Sequence, residues 1–431
     1  MMTPVLALCL TLLAAETLLG VTARVLNVRR PIPDLPAELA GDMAAGLAEV
    51  LKLERLAAAR DYSLARARLA NAQDLAGLLL TCAFLVAGGL AWAEGLGREC
   101  AALLGLGDTA AGLAFFALLG LLSFLAGLPF DIAGTFGLER RFGFGTTSPG
   151  TFVGDRLKTL ALAALIGGPL LGAALWLFGT YGPGAWLASW AVCALALVGL
   201  QHVAPSWLLP LFNTFTPLGP GPLRTALENT ARASGFELSD ISVMDGSRRS
   251  TKANAFFAGF GRRRRIALYD TLLQRHPDRE VVAVLAHEMG HARLGHIPLR
   301  LGAGVLQLGL LFGLLALFLQ YPEIPAGLGL RGAGAHGAMA AFSLFFGPVS
   351  LALGVAMGAL SRRHEFQADA FAARLTGDGE GLVLALARLS ADNLAEITAH
   401  PLTVLLSASH PPVLERIRAL GQLTQSAKPL Q

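Results

Sequence analysis

Charged residues are scarce. They make up 15% of the 431-residue chain, against ~25% in an average soluble domain. Lysine occurs only at Lys52, Lys158, Lys252 and Lys428, so arginine carries nearly all the positive charge. That bias fits a GC-rich, bacterial gene. Cysteine is limited to Cys9, Cys82, Cys100 and Cys193, with no CxxC pair. A disulfide framework and a cysteine metal site are therefore excluded, and buried thiols remain. The 50 glycines follow no triplet period, which excludes a collagen-like chain. Internal repeats are absent. Net charge is +4, but the basic residues cluster near the ends of apolar runs rather than along one face, which argues against nucleic acid as a partner. What is abundant is apolar: 54% of residues are hydrophobic and mean hydropathy is +0.56. A lone soluble domain and a disordered chain are both ruled out.

About 20 apolar residues cross ~30 Å of hydrocarbon. Seven stretches qualify: 4–23, 75–96, 113–132, 160–180, 186–205, 301–319 and 338–360. The first lacks the positive leading segment of a signal peptide, since the chain opens Met-Met-Thr-Pro, and it is expected to be retained. Basic residues alternate between the connecting segments. Arg24 to Arg68, then Arg140 to Lys158, then Arg248 to Arg265 fall on one side; the other side receives little beyond Arg98 and Arg331. The positive-inside rule then predicts seven spans with the N-terminus outside and both hydrophilic segments, 206–300 and 361–431, in the cytoplasm. The division expected is a membrane domain of five spans, 1–205, and a second domain, 206–431, containing the last two spans.

The hydrophilic part reads as α+β. A helix is expected over 223–235, strands over 241–245, 253–259 and 266–270, and a long helix over 278–294. The tract Arg262–Arg265 reads as a solvated hairpin tip or as a contact with anionic lipid.

The long helix carries His287-Glu288-Met289-Gly290-His291. An HExxH spacing sets both imidazoles on one helix face, one turn apart, where they can grip one zinc ion. Glu288 then stands beside the metal as the general base for its water. The preceding run from Val281 to Ala286 makes this a buried helix, and polar side chains there need a partner. Catalytic zinc commonly takes two histidines, a carboxylate and a water. The carboxylate candidate is Glu365, 74 residues after His291, on a helix beyond the last span. Asp369, one turn on, reads either as the hydrogen-bond partner of a ligand histidine or as a salt-bridge acid for Arg362 or Arg363. His296 lies off the ligand face and His364 points away from it, so both read as non-ligands.

These residues resemble the type I CaaX prenyl proteases, integral-membrane zinc metalloproteases. The resemblance extends beyond HExxH. It includes Phe136 to Phe144 after the third span, Pro210 to Leu218 and Val243 to Ser250. It continues through Asn254 to Gly259 and Arg265 to Leu273. Phe256 stands where the family often has Tyr, and 145–149 departs from the family's usual Asn and Gln. The resemblance implies that Asn254 and Ala255 lie on an edge strand pairing with the substrate backbone. It also puts His410, in Ser409-His410-Pro411-Pro412, near the active site. There His410 either stabilises the developing oxyanion or caps the final helix, and Arg362 either pairs with Asp369 or steadies the intermediate.

The expectation is therefore a mostly α, polytopic membrane protein with a small α+β zinc metalloprotease domain. One Zn2+ per chain would be held by His287, His291 and Glu365. The implied partners are a peptide or protein substrate, prenylated by resemblance, and membrane lipid. The expected location is a bacterial cytoplasmic membrane, with the catalytic domain facing the cytoplasm. A membrane quality-control zinc protease shares HExxH and the downstream Glu but typically has fewer spans. A channel or transporter with an incidental HExxH has little support from the few charges inside the spans.

Overall fold

The computed structural model describes residues 2–31, 42–258 and 263–426. It is a helical protein with one small sheet. The first helices are α1 (Pro4–Val28), α2 (Leu53–Val86), α3 (Gly89–Leu103) and α4 (Asp108–Ile132). They are followed by α5 (Pro149–Leu162), α6 (Gly168–Tyr181) and α7 (Trp186–Val203). Large apolar side chains stay exposed along these helices, with Leu79 at 69% and Leu195 at 74%. Such surface belongs against lipid rather than water.

By length and composition, five helical segments among the described residues can cross a membrane, or six if a bent pair counts as one span. Seven were expected. One of the five is a 64-residue run, Pro149–Phe212, that contains two of the expected stretches. It turns at Gly182–Ala185, where Gly182 takes φ +59°, and α6 and α7 on either side pack against each other. Neighbouring helices joined by four residues form a hairpin. The bent pair is α11 and α12, broken by 56° near Phe346 and described below with the site.

The sheet has the order β1-β2-β4-β3, from β1 (Phe215–Pro217), β2 (Glu237–Met244), β3 (Ala255–Ala258) and β4 (Arg263–Tyr269). β2 and β4 run parallel, and the other pairs are antiparallel. Helix α8 (Pro222–Ala233) crosses between β1 and β2. The expected strands and the expected helix over 223–235 are thus present, with shifted ends. The far end of the strand expected over 253–259, and Arg262 of the expected hairpin tip, lie outside the described residues. Arg263 to Arg265 belong to β4.

β3 is a sheet edge, and its register determines which groups face outward. The Tyr269 N–H donates to the Asn254 carbonyl at 3.1 Å, and Ala255 lies opposite Leu268. Antiparallel ladders alternate bonded and non-bonded pairs. Phe256 therefore points its backbone groups at β4, while Ala255 and Phe257 point theirs to the open edge. The base of this strand is clamped to the membrane helices. Lys252 Nζ donates to Tyr62 OH of α2 at 2.6 Å and to Glu139 Oε2 at 2.8 Å. Arg249 makes a two-pronged bond to Asp155 of α5, at 2.7 and 3.0 Å.

Behind the sheet lies α9 (Asp278–Arg293). Asp278 and Glu280 in its first turn complement the helix dipole, and it stops at Gly295, which takes φ +74°. Its apolar face buries Leu285 and Met289 in a core shared with Leu227, Ile241 and Leu268. Next come α10 (His296–Phe318), α11 (Gly334–Phe345) and α12 (Gly347–Thr376). After these come α13 (Gly379–Asp392), α14 (Pro401–Ser407) and α15 (Val413–Ser426). Helices α9 and α12 pack closely because Gly290 has no side chain. A Cβ there would lie 3.0 Å from the Ala368 Cα and 3.1 Å from its carbonyl oxygen.

Candidate active site

The contact at Gly290 and Ala368 sets the distance between two polar faces. Along α12, Glu365 lies one turn before Ala368 and Asp369 immediately after it, and they meet His287 and His291 of α9. Three atoms converge. His287 Nε2 and His291 Nε2 are 3.2 Å apart, His287 Nε2 is 3.4 Å from Glu365 Oε2, and His291 Nε2 is 3.2 Å from Glu365 Oε1. A tetrahedral ion bound at ~2.0–2.1 Å holds its donors ~3.3–3.4 Å apart. The triangle has that size, and these three residues form the metal-capable group among the described residues.

The chemistry of the donors agrees. Glu365 Oε2 is buried without a hydrogen-bond partner, although the Arg416 guanidinium approaches it at 3.3 Å. Burial disfavours charge on His287. The Asp369 carboxylate, which accepts from Nδ1, and the nearby Glu365 carboxylate outweigh it and push that imidazole up to about 9. Two carboxylates against this buried imidazole favour positive charge at the point where the three donors meet. Burial likewise pushes the Glu288 carboxyl up from its usual range.

Each ligand histidine is oriented from behind. Asp369 Oδ1 lies 2.8 Å from His287 Nδ1. A carboxylate only accepts, so Nδ1 carries the proton and Nε2 keeps its lone pair for a metal. His291 Nδ1 faces His296 Nδ1 at 3.0 Å, and His296 Nε2 faces Gln367 Oε1 at 3.0 Å. With the amide oxygen accepting from His296, the His291 Nδ1–H donates to His296, which again frees Nε2. His296 is thus no ligand, as expected, but it holds one. His364, also expected to be no ligand, lies flat against the His296 ring with centroids 3.9 Å apart.

The acid of this network pairs with a residue that sequence reasoning missed. Arg416 of α15, 6% exposed, grips Asp369 through Nε at 2.8 Å and Nη2 at 2.6 Å. The pairing of Arg362 with Asp369 is corrected. Arg362 donates instead to the carbonyls of Val404 and Ala408, at 2.9 and 2.7 Å. Residues 362 and 369 are two helical turns apart, and side chains lean toward the helix N-terminus, which carries Arg362 away from Asp369. Arg362 therefore straps down the segment leading to His410.

His410 stands over the triangle. Its Nε2 is 3.4 Å from Glu365 Oε1, and its side chain is 63% exposed. A cavity of about 510 Å³ opens here, lined by His287, Glu288, His291, Glu365 and His410. It continues between Leu197 and Gln201 of α7 and Leu301 and Gly304 of α10, so the site communicates with the membrane helices. β3 packs against α9, the helix that carries the HExxH residues. Asn254 is exposed at the head of that strand, and its Oδ1 accepts from the Ala255 N–H at 2.9 Å.

Comparison with known proteins places this geometry. Residues 35–214 match the sequence family described as CAAX prenyl protease N-terminal, five membrane helices. Residues 219–424 match Peptidase family M48. A CAAX prenyl protease 1 homolog of Arabidopsis thaliana is 32% identical over 399 residues, covering 90% of this chain and 91% of that protein. The CAAX prenyl protease 1 of Saccharomyces cerevisiae is 34% identical over 335 residues, 73% of each chain. The crystal structure of S. mikatae Ste24p superposes with a TM-score of 0.83 at 27% identity, covering 97% of this chain and 99% of that one.

Proposed function

As the chain belongs to peptidase family M48 and is a multi-pass membrane metallopeptidase, we propose that it is a zinc endopeptidase cutting near the C-terminus of prenylated, CaaX-type proteins. The observation that carries this reading is the triangle of His287, His291 and Glu365 beside Glu288. Two imidazoles and a carboxylate at tetrahedral spacing suit zinc, one per chain. The prenylated substrate rests on the likeness to the CAAX prenyl proteases and on a cavity that runs from the site between membrane helices.

Zinc, when bound, supplies Lewis-acid polarisation of the scissile carbonyl and acidifies a water. The protein does the rest. Glu288 takes the proton of the attacking water and passes it to the leaving amine, and its burial suits a base that must give the proton back. His410, over the ligand triangle, faces the oxygen on which negative charge develops. Asp369, held by Arg416, fixes the His287 tautomer, and His296 fixes that of His291. Phe257 offers its outward backbone groups and Ala255 its outward carbonyl to an extended peptide, as an added strand, and Asn254, whose Oδ1 holds the Ala255 N–H until a peptide arrives, sets its direction. Arg362 acts at one remove, by holding the His410 segment.

The division is 1–205 for the membrane part and 206–431 for the peptidase part. The catalytic side faces the cytoplasm, the N-terminus lies outside, and the arginine-rich composition suits a bacterial cytoplasmic membrane. Labelling of Arg265→Cys from the cytoplasmic side and of Gly184→Cys from the other is the expected pattern; labelling of both from one side overturns the orientation. Function is tested with purified protein on matched prenylated and unprenylated peptides, with products mapped by mass spectrometry and metal measured on the same sample. One zinc per chain and cleavage of the prenylated peptide alone are expected. Equal cleavage of both peptides would replace the substrate assignment with a broad membrane protease.

A further inference from the structure

A second groove, of about 710 Å³, lies on the far side of His296 from the catalytic cavity, and that ring borders both. It runs along α12 from Leu360 to Arg374. Its apolar walls are Leu294, Leu299, Leu360 and Phe366; Leu299, near the start of α10, is 52% exposed, and Leu360 lies where the apolar part of α12 ends. Further along come Arg363 and Arg374, both exposed. Neither has a carboxylate partner among the described residues, and no Asp or Glu lines the groove. His364, 4% exposed, borders it with its Nδ1 lacking any hydrogen-bond partner.

Position completes the pattern. The apolar end lies where α10 and α12 leave their long apolar stretches, so it meets the edge of the hydrocarbon. Arg363 follows Leu360 by three residues, ~4.5 Å along the axis, which is headgroup depth. Along α12 the groove thus passes from Leu360 to Arg363, then to Phe366 and Gln367, with Arg374 last. That order is complementary to an amphiphile standing along the membrane normal with a negative charge at its neck. We propose that this groove is a binding site for an anionic glycerophospholipid. The acyl chain lies on Leu299 and Leu360, and the headgroup phosphate is held by Arg363, with the His364 imidazole beneath.

Arg374 is a built-in discriminator. It lies eleven residues beyond Arg363, ~16 Å along α12, more than a Debye length away at physiological salt. A lipid phosphate at Arg363 would hardly feel it, whereas an extended acidic peptide along the groove would engage both arginines.

The test is displacement of a fluorescent phosphatidylglycerol from the full chain in phosphatidylcholine nanodiscs, by unlabelled phosphatidylglycerol or inorganic phosphate. A cation near the membrane surface is worth about fivefold in binding. Arg363→Gln should weaken phosphatidylglycerol about fivefold, Arg363→Lys should largely retain it, and Arg374→Gln should change it less than twofold. Leu299→Glu, which sets a carboxylate in the apolar wall, should abolish it by a route independent of the arginines. Unchanged binding in Arg363→Gln would overturn the proposal. So would equal losses at Arg363 and Arg374, which would mark an acidic-peptide groove, or full displacement by 10 mM phosphate, which would mark a free-anion site.

Discussion

Replacing Asp369 by Asn tests the network behind the metal site. The Asp369 carboxylate is 2% exposed and has three close partners: Arg416 Nε at 2.8 Å, Arg416 Nη2 at 2.6 Å and His287 Nδ1 at 2.8 Å. Asparagine has the same shape but one acceptor oxygen and a donating NH2. If the oxygen serves His287, the amide hydrogens meet the guanidinium donor to donor. Breaking a buried pair in this way costs about 3–5 kcal/mol when the remaining charge finds nothing else. Here it has an alternative, because Arg416 Nη1 is already 3.3 Å from Glu365 Oε2. The freed guanidinium will turn to Glu365, which recovers part of the stability at the expense of a metal ligand. Both routes weaken zinc binding. Losing an outer hydrogen bond to a ligand histidine costs about 10–100-fold in metal affinity, or roughly 1.4–2.7 kcal/mol. The diversion of Glu365 puts the expected value at the upper end. Zinc affinity is measured by competition with a fluorescent chelator, and folding is followed separately by thermal melting of the metal-free protein. A folded Asp369→Asn protein with zinc affinity within twofold of the parent would refute the reasoning.

Three further outcomes are expected. Glu288→Gln should retain zinc and lose about 10²–10⁴-fold in turnover; loss of zinc instead, measured by metal analysis, would make Glu288 a ligand. Gly290→Ala should separate α9 from α12, since the Cβ meets backbone at 3.0 and 3.1 Å rather than a side chain that can move. A fall of at least tenfold in zinc affinity is expected, read by the same chelator competition. Asn254→Ala and Ala255→Pro should both reduce peptide cleavage while leaving melting temperature and zinc content nearly unchanged. The proline removes an N–H that points away from β4 and is the more damaging of the two; a joint fall in melting temperature and activity would reduce this strand to a folding role.

The parts legible in the sequence are those encoded locally. His287 and His291 sit one turn apart on one helix, so periodicity alone brings them together. Glu365 is distant in the chain, and what made it visible was the chemistry of zinc, which asks for one more carboxylate, together with its place on a helix just past an apolar run. Arg416 was invisible for the opposite reason. An arginine in an ordinary amphipathic helix looks like a solvated one, and only the packing of α15 against α12 buries it. A signal existed in retrospect: it lies six residues after His410, near enough for both to reach one site. His296 was rejected correctly as a ligand by its spacing, but spacing says nothing about what lies behind a ligand. The misplaced partner of Arg362 came from matching charges along a helix without measuring the rise between them. Hydropathy marks the long apolar helices but not their number of crossings, and the turn within Pro149–Phe212 is set by a short Gly-Pro-Gly break.

The metal-binding triangle draws its corners from both sides of a passage through the membrane: His287 and His291 precede α10 and α11, and Glu365 follows them on α12. A nascent chain that has emerged only as far as α10 possesses the general base and two imidazoles but no third corner. Arg416 arrives later still, fifty-one positions beyond Glu365. On the proposed mechanism, competence to hydrolyse peptide bonds is thereby postponed until α12 has been made and the C-terminal helix has docked.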